Sequence, residues 1–218
     1  MSRKKDQAAR RKHLLEAARK AILKRGLVTV GVRDIAQAAS MSPGSVTYYF
    51  PTIDELLRQV QADAIARFAQ ARWELVRTID DPVVRLRALI ERGVATGPDD
   101  ELLCLLNEFT GLIRRNPIYQ VSWKSLNDSQ ISIYESVITT GAALGVFTLS
   151  SPALSIARNF VGLEDIYGFH VVMGASMIRD EALELIYDFA MGAVGCDLRD
   201  PRPSPQAAAP EVLAGPGE

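Results

Sequence analysis

Residues 32–50 read VRDIAQAASMSPGSVTYYF and predict two short helices joined by a tight turn. The first helix is expected over residues 32–39, because Gly31 is an acceptable N-cap and Asp34 at the third helical position interacts favourably with the helix dipole. Ser42 is a good N-cap and Pro43 a good first helical residue, so the second helix is expected over residues 43–50. The stretch therefore has the order and spacing of a helix-turn-helix.

The second of these helices has one apolar face and one polar face. Val46 and Phe50 lie four residues apart and are expected to pack against Ile35 of the first helix. The polar face fits a DNA major groove about 12 Å wide, where hydroxyl groups reach base edges and aromatic groups touch thymine methyls. A packed helix pair that binds nothing is the alternative that this pattern alone leaves open. The residues of the polar face are Gly44, Ser45, Thr47 and Tyr48.

Basic residues are concentrated at the N-terminus, although the net charge of the chain is −1. Residues 1–25 contain ten Lys and Arg residues against two acidic residues, which gives a net charge of +8, and the remainder of the chain carries −9. This asymmetry indicates that one end meets a polyanion, whereas a solvated arm that binds nothing is the alternative on charge alone. Beside the helix-turn-helix, we expect Arg33 and the basic first helix to lie near DNA phosphates.

Residues that start and stop helices recur along the whole chain, and the sequence shows neither strand-like alternation nor an internal repeat. It predicts an all-α fold of about nine helices, with a helix-turn-helix DNA-binding domain at 1–52 and a ligand-binding and dimerisation domain at 53–198. A disordered tail rich in Pro and Ala is expected at 199–218. The predicted helices cover residues 6–25, 32–39, 43–50, 53–78, 82–97, 99–116, 118–144, 152–173 and 179–194.

The composition excludes several other classes of protein. Cys104 and Cys196 are too few for a disulfide framework or a cysteine metal site, and they indicate a reducing, cytoplasmic setting. His13 and His170 are far apart, and no metal-ligand spacing occurs. Turn residues interrupt the stretch 136–157, which has no charged residue, so we do not expect a transmembrane helix there. The sequence predicts a cytoplasmic protein without metal, cofactor or membrane association.

An all-helical enzyme and a helical adaptor that binds only protein are the competing functions. An enzyme needs a nucleophile–base pair or a metal cluster, and the sequence shows neither. Glu164 and Asp165 are adjacent, so on a helix they point about 100° apart and cannot work as a facing acid–base pair. His170 is expected in the core or at an interface more often than in a ligand site. The basic first helix beside a helix-turn-helix disfavours the adaptor.

The later helices are apolar over wide arcs but carry isolated polar residues. Unpaired polar groups in a core cost free energy, and a ligand or ordered water in a pocket would satisfy them. We therefore expect residues 82–195 to bind a small, largely apolar effector, although any one of these residues could instead be satisfied by a neighbour or by solvent. The candidate pocket residues are Asn107, Trp123, Tyr134, Phe160, Glu164 and Tyr167, and Asn127, Asn159 and His170 are further isolated polar residues.

The last predicted helix, residues 179–194, has two apolar stripes. Two stripes require two surfaces, one on the chain's own core and one on a partner. The preceding helix contains Gly162 and Gly168, which would let it pack closely in a four-helix interface. We therefore expect a homodimer through the last two helices. One stripe comprises Leu183, Ile186, Tyr187, Ala190 and Val194, and the other comprises Leu185, Phe189 and Ala193.

Residues 10–57 resemble the DNA-binding domain of the TetR (tetracycline-repressor) family of transcriptional regulators. The matching run, ILKRGLVTVGVRDIAQAASMSPGSVTYYFPTIDELL, has the "IA" dipeptide, the "S-x-G" start of the recognition helix and the "YYF…ELL" end. The "SPGSVTYYF" stretch is most similar to the choline-responsive, BetI-type branch. The resemblance implies a dimeric repressor that a small-molecule effector releases from a palindromic operator. By position it implies DNA roles for Arg33, Gly44, Ser45, Thr47, Tyr48 and Tyr49, with Tyr49 on a phosphate and Thr47 and Tyr48 facing bases.

Four positions depart from the family's usual residues. Ser40 stands where Gly is usual in the turn, Thr47 where Tyr is common, and Gly31 where Thr usually caps the second helix. Ile53 stands where a Lys commonly opens the fourth helix near DNA phosphate. Because Ile53 cannot make an ionic contact, we expect phosphate neutralisation to depend more heavily on the basic N-terminal segment.

Overall fold

The computed structural model describes residues 2–114 and 116–199, with side chains from residue 6 onward. These residues form helices and no strand, which confirms the all-α prediction. Nine of the helices correspond to the predicted ones, and α7 is a single additional turn after α6. The helices are α1 (Ser2–Arg25), α2 (Val32–Ala38), α3 (Pro43–Tyr49), α4 (Ile53–Thr78), α5 (Pro82–Gly93), α6 (Glu101–Glu108), α7 (Thr110–Ile113), α8 (Pro117–Ala143), α9 (Ala153–Met173) and α10 (Arg179–Val194).

The largest differences from the predicted boundaries lie at α1, which begins at Ser2 rather than near residue 6, and at α5 and α6. α5 ends at Gly93 rather than near residue 97, because Val94 adopts an extended conformation with φ −87° and ψ 133°. The predicted sixth helix breaks at Phe109, where the amide of Phe109 bonds to the carbonyl of Leu106 and the amide of Leu112 bonds to the carbonyl of Phe109. These tighter i→i+3 bonds separate α6 from the short α7.

Glycines end two of the longer helices as the sequence predicts. Gly26 follows α1 with φ +82° and Gly174 follows α9 with φ +64°. This left-handed conformation satisfies the last carbonyl groups of a helix and costs glycine little.

The helix-turn-helix packs around an apolar N-terminal core. α1, α2, α3 and the first half of α4 supply most of its side chains, and α6 covers one side. The core includes the buried residues Leu14, Ile22, Ile35, Val46, Phe50, Leu56, Val60 and Leu105.

A second, C-terminal core lies between α5, α8, α9 and α10. α8 and α9 pack against each other along much of their length, and α5 and α10 cover them. The core includes the buried residues Leu86, Ile90, Ile133, Val137, Phe160, Val171, Ile186 and Ala190.

Two helices connect these cores. The first half of α4 contributes Leu56 and Val60 to the N-terminal core, whereas Leu75 near its end packs against the C-terminal core. α6 contributes Leu105 to the N-terminal core, and Cys104 on the same helix packs against the C-terminal one. A shift of either helix would therefore be felt in both cores.

Most of the predicted tail at 199–218 lies outside the described residues. Arg199 is described, and its guanidinium pairs with Glu184 at 2.6 Å and with Asp197 at 3.3 Å. None of the described helices is both long and apolar enough to cross a membrane.

Candidate DNA interface and ligand cavity

Capping and burial orient α3 as the sequence predicts. The Ser42 Oγ accepts a hydrogen bond from the Ser45 amide at 3.1 Å, which caps the helix. Val46 and Phe50 are buried in the N-terminal core. The opposite face of α3 consequently lies on the protein surface.

The residues implied to contact DNA lie on or beside this surface. Tyr48 is 69% exposed, and its ring meets the Tyr49 ring edge-on at 5.1 Å. The Thr47 hydroxyl donates to the carbonyl of Gly44 at 3.1 Å and would have to rotate away to bond a base. Arg33 and Gly44 are exposed, whereas Ser45 and Tyr49 are half-buried. Their contacts with DNA stay predictions.

α1 clamps the end of α3 through Arg11. The Arg11 guanidinium donates to the Tyr49 carbonyl at 2.5 Å, lies 3.3 Å from a Glu55 carboxylate oxygen, and stacks 4.2 Å from the Phe50 ring centroid. On the same helix, the His13 Nε2 lies 2.9 Å from the Ala39 carbonyl, so the Nε2–H is the donor. These bonds fix the turn and the recognition helix against α1.

The surface charge of α1 is smaller than the sequence count. Three of the ten basic residues in 1–25 form ion pairs within the described residues: Arg11 with Glu55, Arg19 with Glu16 and Glu101, and Arg25 with Asp34. Each acidic partner neutralises charge that would otherwise face a phosphate. The exposed basic residues of α1 with described side chains are Arg10, Lys12, Lys20, Lys24 and Arg25.

A cavity lies between α4, α6, α8 and α9. Its inner part measures about 60 Å³, and it adjoins an outer cleft of about 350 Å³. Asn107, Trp123, Asp165 and Phe169 line both parts. The inner part is also lined by Phe68, Gly93, Leu103, Leu106, Leu126, Asn127, Gln130, Val161, Glu164 and Gly168.

Three of the six candidate pocket residues line this cavity. They are Asn107, Trp123 and Glu164, and the isolated polar residue Asn127 joins them. Tyr134 and Phe160 are fully buried and stack on each other with ring centroids 5.1 Å apart. Tyr167 is half-buried against the C-terminal core. The sequence therefore located this region, although a role in ligand binding stays a prediction for each residue.

A buried ion pair borders the cavity. Arg72 on α4 is completely buried, and its Nη1 lies 3.3 Å and 3.2 Å from the two carboxylate oxygens of Glu164 on α9. The Tyr134 hydroxyl donates to the same carboxylate. Burial raises the pKa of Glu164 to about 7, and the attraction of Arg72 offsets only part of this effect. Burial, followed by the charge of Glu164, also raises the pKa of Tyr134 well above its usual range.

Sequence reasoning missed Arg72. Its signal is periodic, because Val60, Ala64, Phe68 and Arg72 recur every four residues along α4, and that spacing puts them on one face. Arg72 thus continues the inward stripe of α4. Its partner could not be read from the same pattern, since Glu164 lies 92 residues away.

Gly93 makes room for the ion pair. A Cβ atom at this position would lie 2.1 Å from the Glu164 Cδ and 2.4 Å from the Arg72 Nη1. Both neighbours are buried and held by each other, so neither can retreat easily. The absence of a side chain at residue 93 is therefore a condition for the pairing.

Gln130 is a second buried polar residue that the sequence reasoning missed. It is 4% exposed and lines the cavity from α8. Within the described residues, neither its Oε1 nor its Nε2 has a hydrogen-bond partner. A buried amide left in this state costs about 1–3 kcal/mol, so the cavity contains a donor and an acceptor that a ligand could satisfy.

The N-terminal domain is similar to a known family. Residues 14–60 match the family of bacterial regulatory proteins called the tetR family. The chain is 42% identical over 57 residues to the HTH-type transcriptional regulator PksA of Bacillus subtilis (strain 168), a match that covers 26% of this chain and 28% of PksA. Residues 14–60 are thus similar to the DNA-binding domain of the tetR family. The alignment thus spans little more than a quarter of this relative.

The likeness to solved structures extends over most of the chain. A TetR transcription regulator from Haloarcula marismortui ATCC 43049 matches with a TM-score of 0.77 at 20% identity, over 86% of this chain and 99% of that one. A transcriptional regulator from Saccharomonospora viridis in complex with choline matches with a TM-score of 0.79 at 23% identity, over 86% and 98%. At these identities the likeness shows the shared fold.

The turn of the helix-turn-helix is formed by a serine. Ser40 has φ +52° and is the one non-glycine residue with positive φ among the described residues. The Met41 amide bonds to the Ala36 carbonyl at 2.9 Å and the Ser40 amide to the Gln37 carbonyl at 3.1 Å, which is the Schellman pattern at the end of α2. Serine takes the conformation in which glycine is usual, at some conformational cost.

Ile53 has a packing role at the start of α4. It is half-buried and contacts the N-terminal core. The helix itself is capped by the Thr52 Oγ1, which accepts from the Glu55 amide at 3.1 Å. An apolar residue at position 53 therefore stabilises the junction of α3 and α4 without supplying charge.

The other candidates form ordinary structural contacts. The His170 Nδ1 lies 2.7 Å from the Ser176 Oγ, near the end of α9, and His170 does not line the cavity. The Cys104 thiol contacts the Pro98 carbonyl, and partial burial raises the pKa of the thiol. Across the described residues, no cluster of His, Cys, Asp and Glu has the geometry to hold a metal ion.

Proposed function

We propose that this protein is a ligand-responsive transcriptional regulator, a repressor that a small-molecule effector releases from a palindromic operator in the cytoplasm. The observation that carries the proposal is the combination of a clamped, exposed recognition helix with a cavity that contains an unsatisfied buried amide. The first feature suits DNA binding and the second suits a ligand. An all-helical small-molecule-binding protein or enzyme that does not bind DNA is the alternative.

α6 provides a route from the cavity to the DNA-binding domain. Asn107 on α6 lines the cavity, and Glu108, the next residue, accepts a hydrogen bond from the Leu27 amide at 2.7 Å. At the other end of α6, Glu101 pairs with Arg19 of α1 at 2.9 Å. A ligand that displaces α6 would therefore displace α1, whose Arg11 holds the recognition helix. Effector and DNA binding would then be linked reciprocally.

α4 provides a second route. Phe68 lines the cavity, and the same helix begins directly after the recognition helix at Ile53. Because a helix transmits displacement along its axis, movement at Phe68 would reorient α3. Two routes from one cavity favour a regulator over a simple binding protein.

The proposed homodimer uses the outer faces of α9 and α10. Gly162 and Gly192 have open space where a Cβ would lie, so another helix could approach closely. Exposed apolar residues surround them, and their burial against a second copy would be favourable. Both predicted stripes of α10 contribute residues to the chain's own core, because Ala193 is buried there as well as Ala190. The exposed apolar residues are Leu154, Ile166, Phe169, Met173, Leu185 and Met191.

The BetI-type assignment belongs to this proposal as well. It rests on the stretch SPGSVTYYF, which forms the recognition helix and carries no information on the cavity. The Saccharomonospora viridis structure is a complex with choline, which supports a small-molecule ligand for this fold. The identity of the effector therefore has to be argued from the cavity itself.

The proposed function is tested by measuring how the protein binds DNA duplexes taken from the intergenic regions that flank its own gene. We expect Tyr48→Ala to lose about 1–3 kcal/mol of preference for the operator over random DNA, because it removes a base contact. Val121→Ala on α8 is a matched control, since Val121 is also 69% exposed and lies on a different helix from Tyr48. Equal operator binding by Tyr48→Ala and wild type would overturn the recognition-helix assignment, and absence of any sequence-specific binding would favour the alternative function.

A further inference from the structure

We propose that the cavity binds a protonated primary or secondary amine attached to a compact apolar group, with Asp165 as the counter-ion. This inference rests on the proposed function and names the chemical class of its effector. Three properties of the cavity support it: the sign of its charge, its unsatisfied amide and its aromatic wall.

The charge of the lining residues is negative. Glu164 and Asp165 are the ionisable residues that line the described cavity, and no Lys, Arg or His joins them in either part. Glu164 is already neutralised by Arg72, which is buried behind it. Asp165 has no ion pair or hydrogen bond to its side chain within the described residues. One carboxylate is therefore left without a counter-ion.

Asp165 lines both the inner cavity and the outer cleft, and the residue is exposed there. The protein around its carboxyl still desolvates it in part and raises its pKa to about 6, against the opposing effect of Arg72. The group is thus ionised at neutral pH. A cation at this position would restore the interactions that the carboxylate has lost with water.

Gln130 distinguishes among cations. Its buried Oε1 needs a donor, and an ammonium N–H can supply one. A trimethylammonium group has no N–H and would leave the oxygen unsatisfied. The Gln130 Nε2 can donate to a ligand oxygen or to ordered water. We therefore favour primary and secondary amines over quaternary ones.

Aromatic rings form part of the cavity wall. Phe68, Trp123 and Phe169 line the cavity from three different helices. Such rings accommodate an apolar group and attract a nearby cation through their faces. A carboxylate or phosphate ligand would instead be repelled by Asp165, and no basic residue lines the cavity to bind it directly.

The test uses probes that share one hydrocarbon group and differ in the charge or in the N–H donors of the attached polar group. The first set is 2-phenylethylamine, trimethyl(2-phenylethyl)ammonium, 2-phenylethanol and 3-phenylpropanoate, and the second set has cyclohexyl in place of phenyl. Binding to the full chain is measured by calorimetry and by quenching of Trp123 fluorescence, with Trp123→Phe identifying its signal. In at least one set we expect the primary amine to bind about tenfold more tightly than each of its partners, a difference of about 1.4 kcal/mol.

Asp165→Asn should reduce that preference to about twofold or less, since it removes the counter-ion but keeps the shape. Asp128→Asn is the control, because Asp128 is an exposed carboxylate outside the cavity and the change in net charge is the same. The proposal is overturned if no amine binds at millimolar concentration, if the alcohol, carboxylate or trimethylammonium probe is preferred, or if the preference survives in Asp165→Asn. Because these measurements contain no DNA, their failure would leave the operator-binding result standing, and the converse also holds.

Discussion

The recognition helix and the cavity use polar side chains in opposite ways. On α3, Thr47 and Tyr48 point outward from an apolar core, so water hydrates them in the free protein and DNA would replace that water in the proposed complex. In the cavity, Glu164 and Gln130 are buried. The free-energy cost of removing them from water is therefore incurred when the chain folds. The proposed DNA-binding surface is therefore compatible with a stable, ordinary core, whereas the buried polar groups of the cavity reduce stability in the absence of a ligand.

This contrast implies that substitutions in the two regions should separate stability from function. Changing an exposed residue of α3 should alter DNA affinity and leave the free energy of unfolding almost unchanged. Changing a buried polar residue of the cavity should alter stability strongly, and in either direction. The substitutions described below test whether stability responds differently to changes in the two regions.

The largest effect is expected from Arg72→Met. This change leaves the Glu164 carboxyl buried without its cation, and it should lower the free energy of unfolding by about 3–5 kcal/mol. Arg67→Met on the same helix is the control, because Arg67 is exposed and its nearest Asp63 oxygen is 4.0 Å away. Urea unfolding measures both. Equal destabilisation of the two variants would show that the buried pair has no special role.

Gln130→Met should have a smaller effect of the opposite sign. Methionine fills a similar volume without donors or acceptors, so the variant should gain about 1–3 kcal/mol of stability in the absence of ligand. It should also lose affinity for amine probes. Gln120→Met, at an exposed position of α8, serves as the control in thermal unfolding. A destabilised Gln130→Met protein would contradict the view that this amide is kept for a ligand.

The pH dependence of stability reports on Glu164. Its pKa of about 7 in the folded protein lies above the ordinary value of 4.5, so the folded state binds more protons between these values. The stability that the protonated carboxyl confers is present below about pH 4.5 and is lost as the pH rises through about 7. Asp165, with a pKa raised to about 6, acts in the same direction at lower pH.

Glu164→Gln isolates the contribution of Glu164. The variant should be less stable than wild type overall, because Arg72 loses its partner, but its unfolding midpoint should change less between pH 5 and 8. Urea midpoints measured at intervals across that range provide the comparison. Parallel profiles for the two proteins would mean that Glu164 does not titrate in this window.

The smallest effect is expected at the turn of the helix-turn-helix. Ser40→Gly relieves a left-handed serine at a cost in unfolded-state entropy, and we expect a net gain of about 0.5 kcal/mol. Ser40→Ala keeps a Cβ in the same conformation and should give no gain. If Ser40→Gly is destabilising in thermal unfolding, the serine hydroxyl has a role that its backbone conformation does not explain.

Much of the helix-turn-helix could be predicted because its signals are local. Ser42 caps α3, Thr52 caps α4, and Val46 and Phe50 pack inward, and each of these features depends on residues a few positions away. The left-handed conformation of Ser40 could not be predicted from its residue type, because serine rarely adopts it. Local chemistry thus decides most of this region.

The cavity could be predicted as a region but not as a set of contacts. The isolated polar residues Asn107, Trp123 and Glu164 located it. The roles of Arg72 and Gln130 could not be predicted. Their burial and their hydrogen-bond partners depend on helices that are distant in sequence. The same limit applies to α1, where Arg19 is neutralised by Glu101, a residue of α6.

The reciprocity of DNA and ligand binding tests the central claim most directly. In one titration series, the affinity of the wild-type protein for an operator duplex is measured with and without each amine probe, and the affinity for the probe is measured with and without saturating operator. We predict that a probe which quenches Trp123 weakens operator binding, and that the operator weakens probe binding by the same factor. A probe that occupies the cavity with the same affinity in the presence and absence of operator would contradict the account.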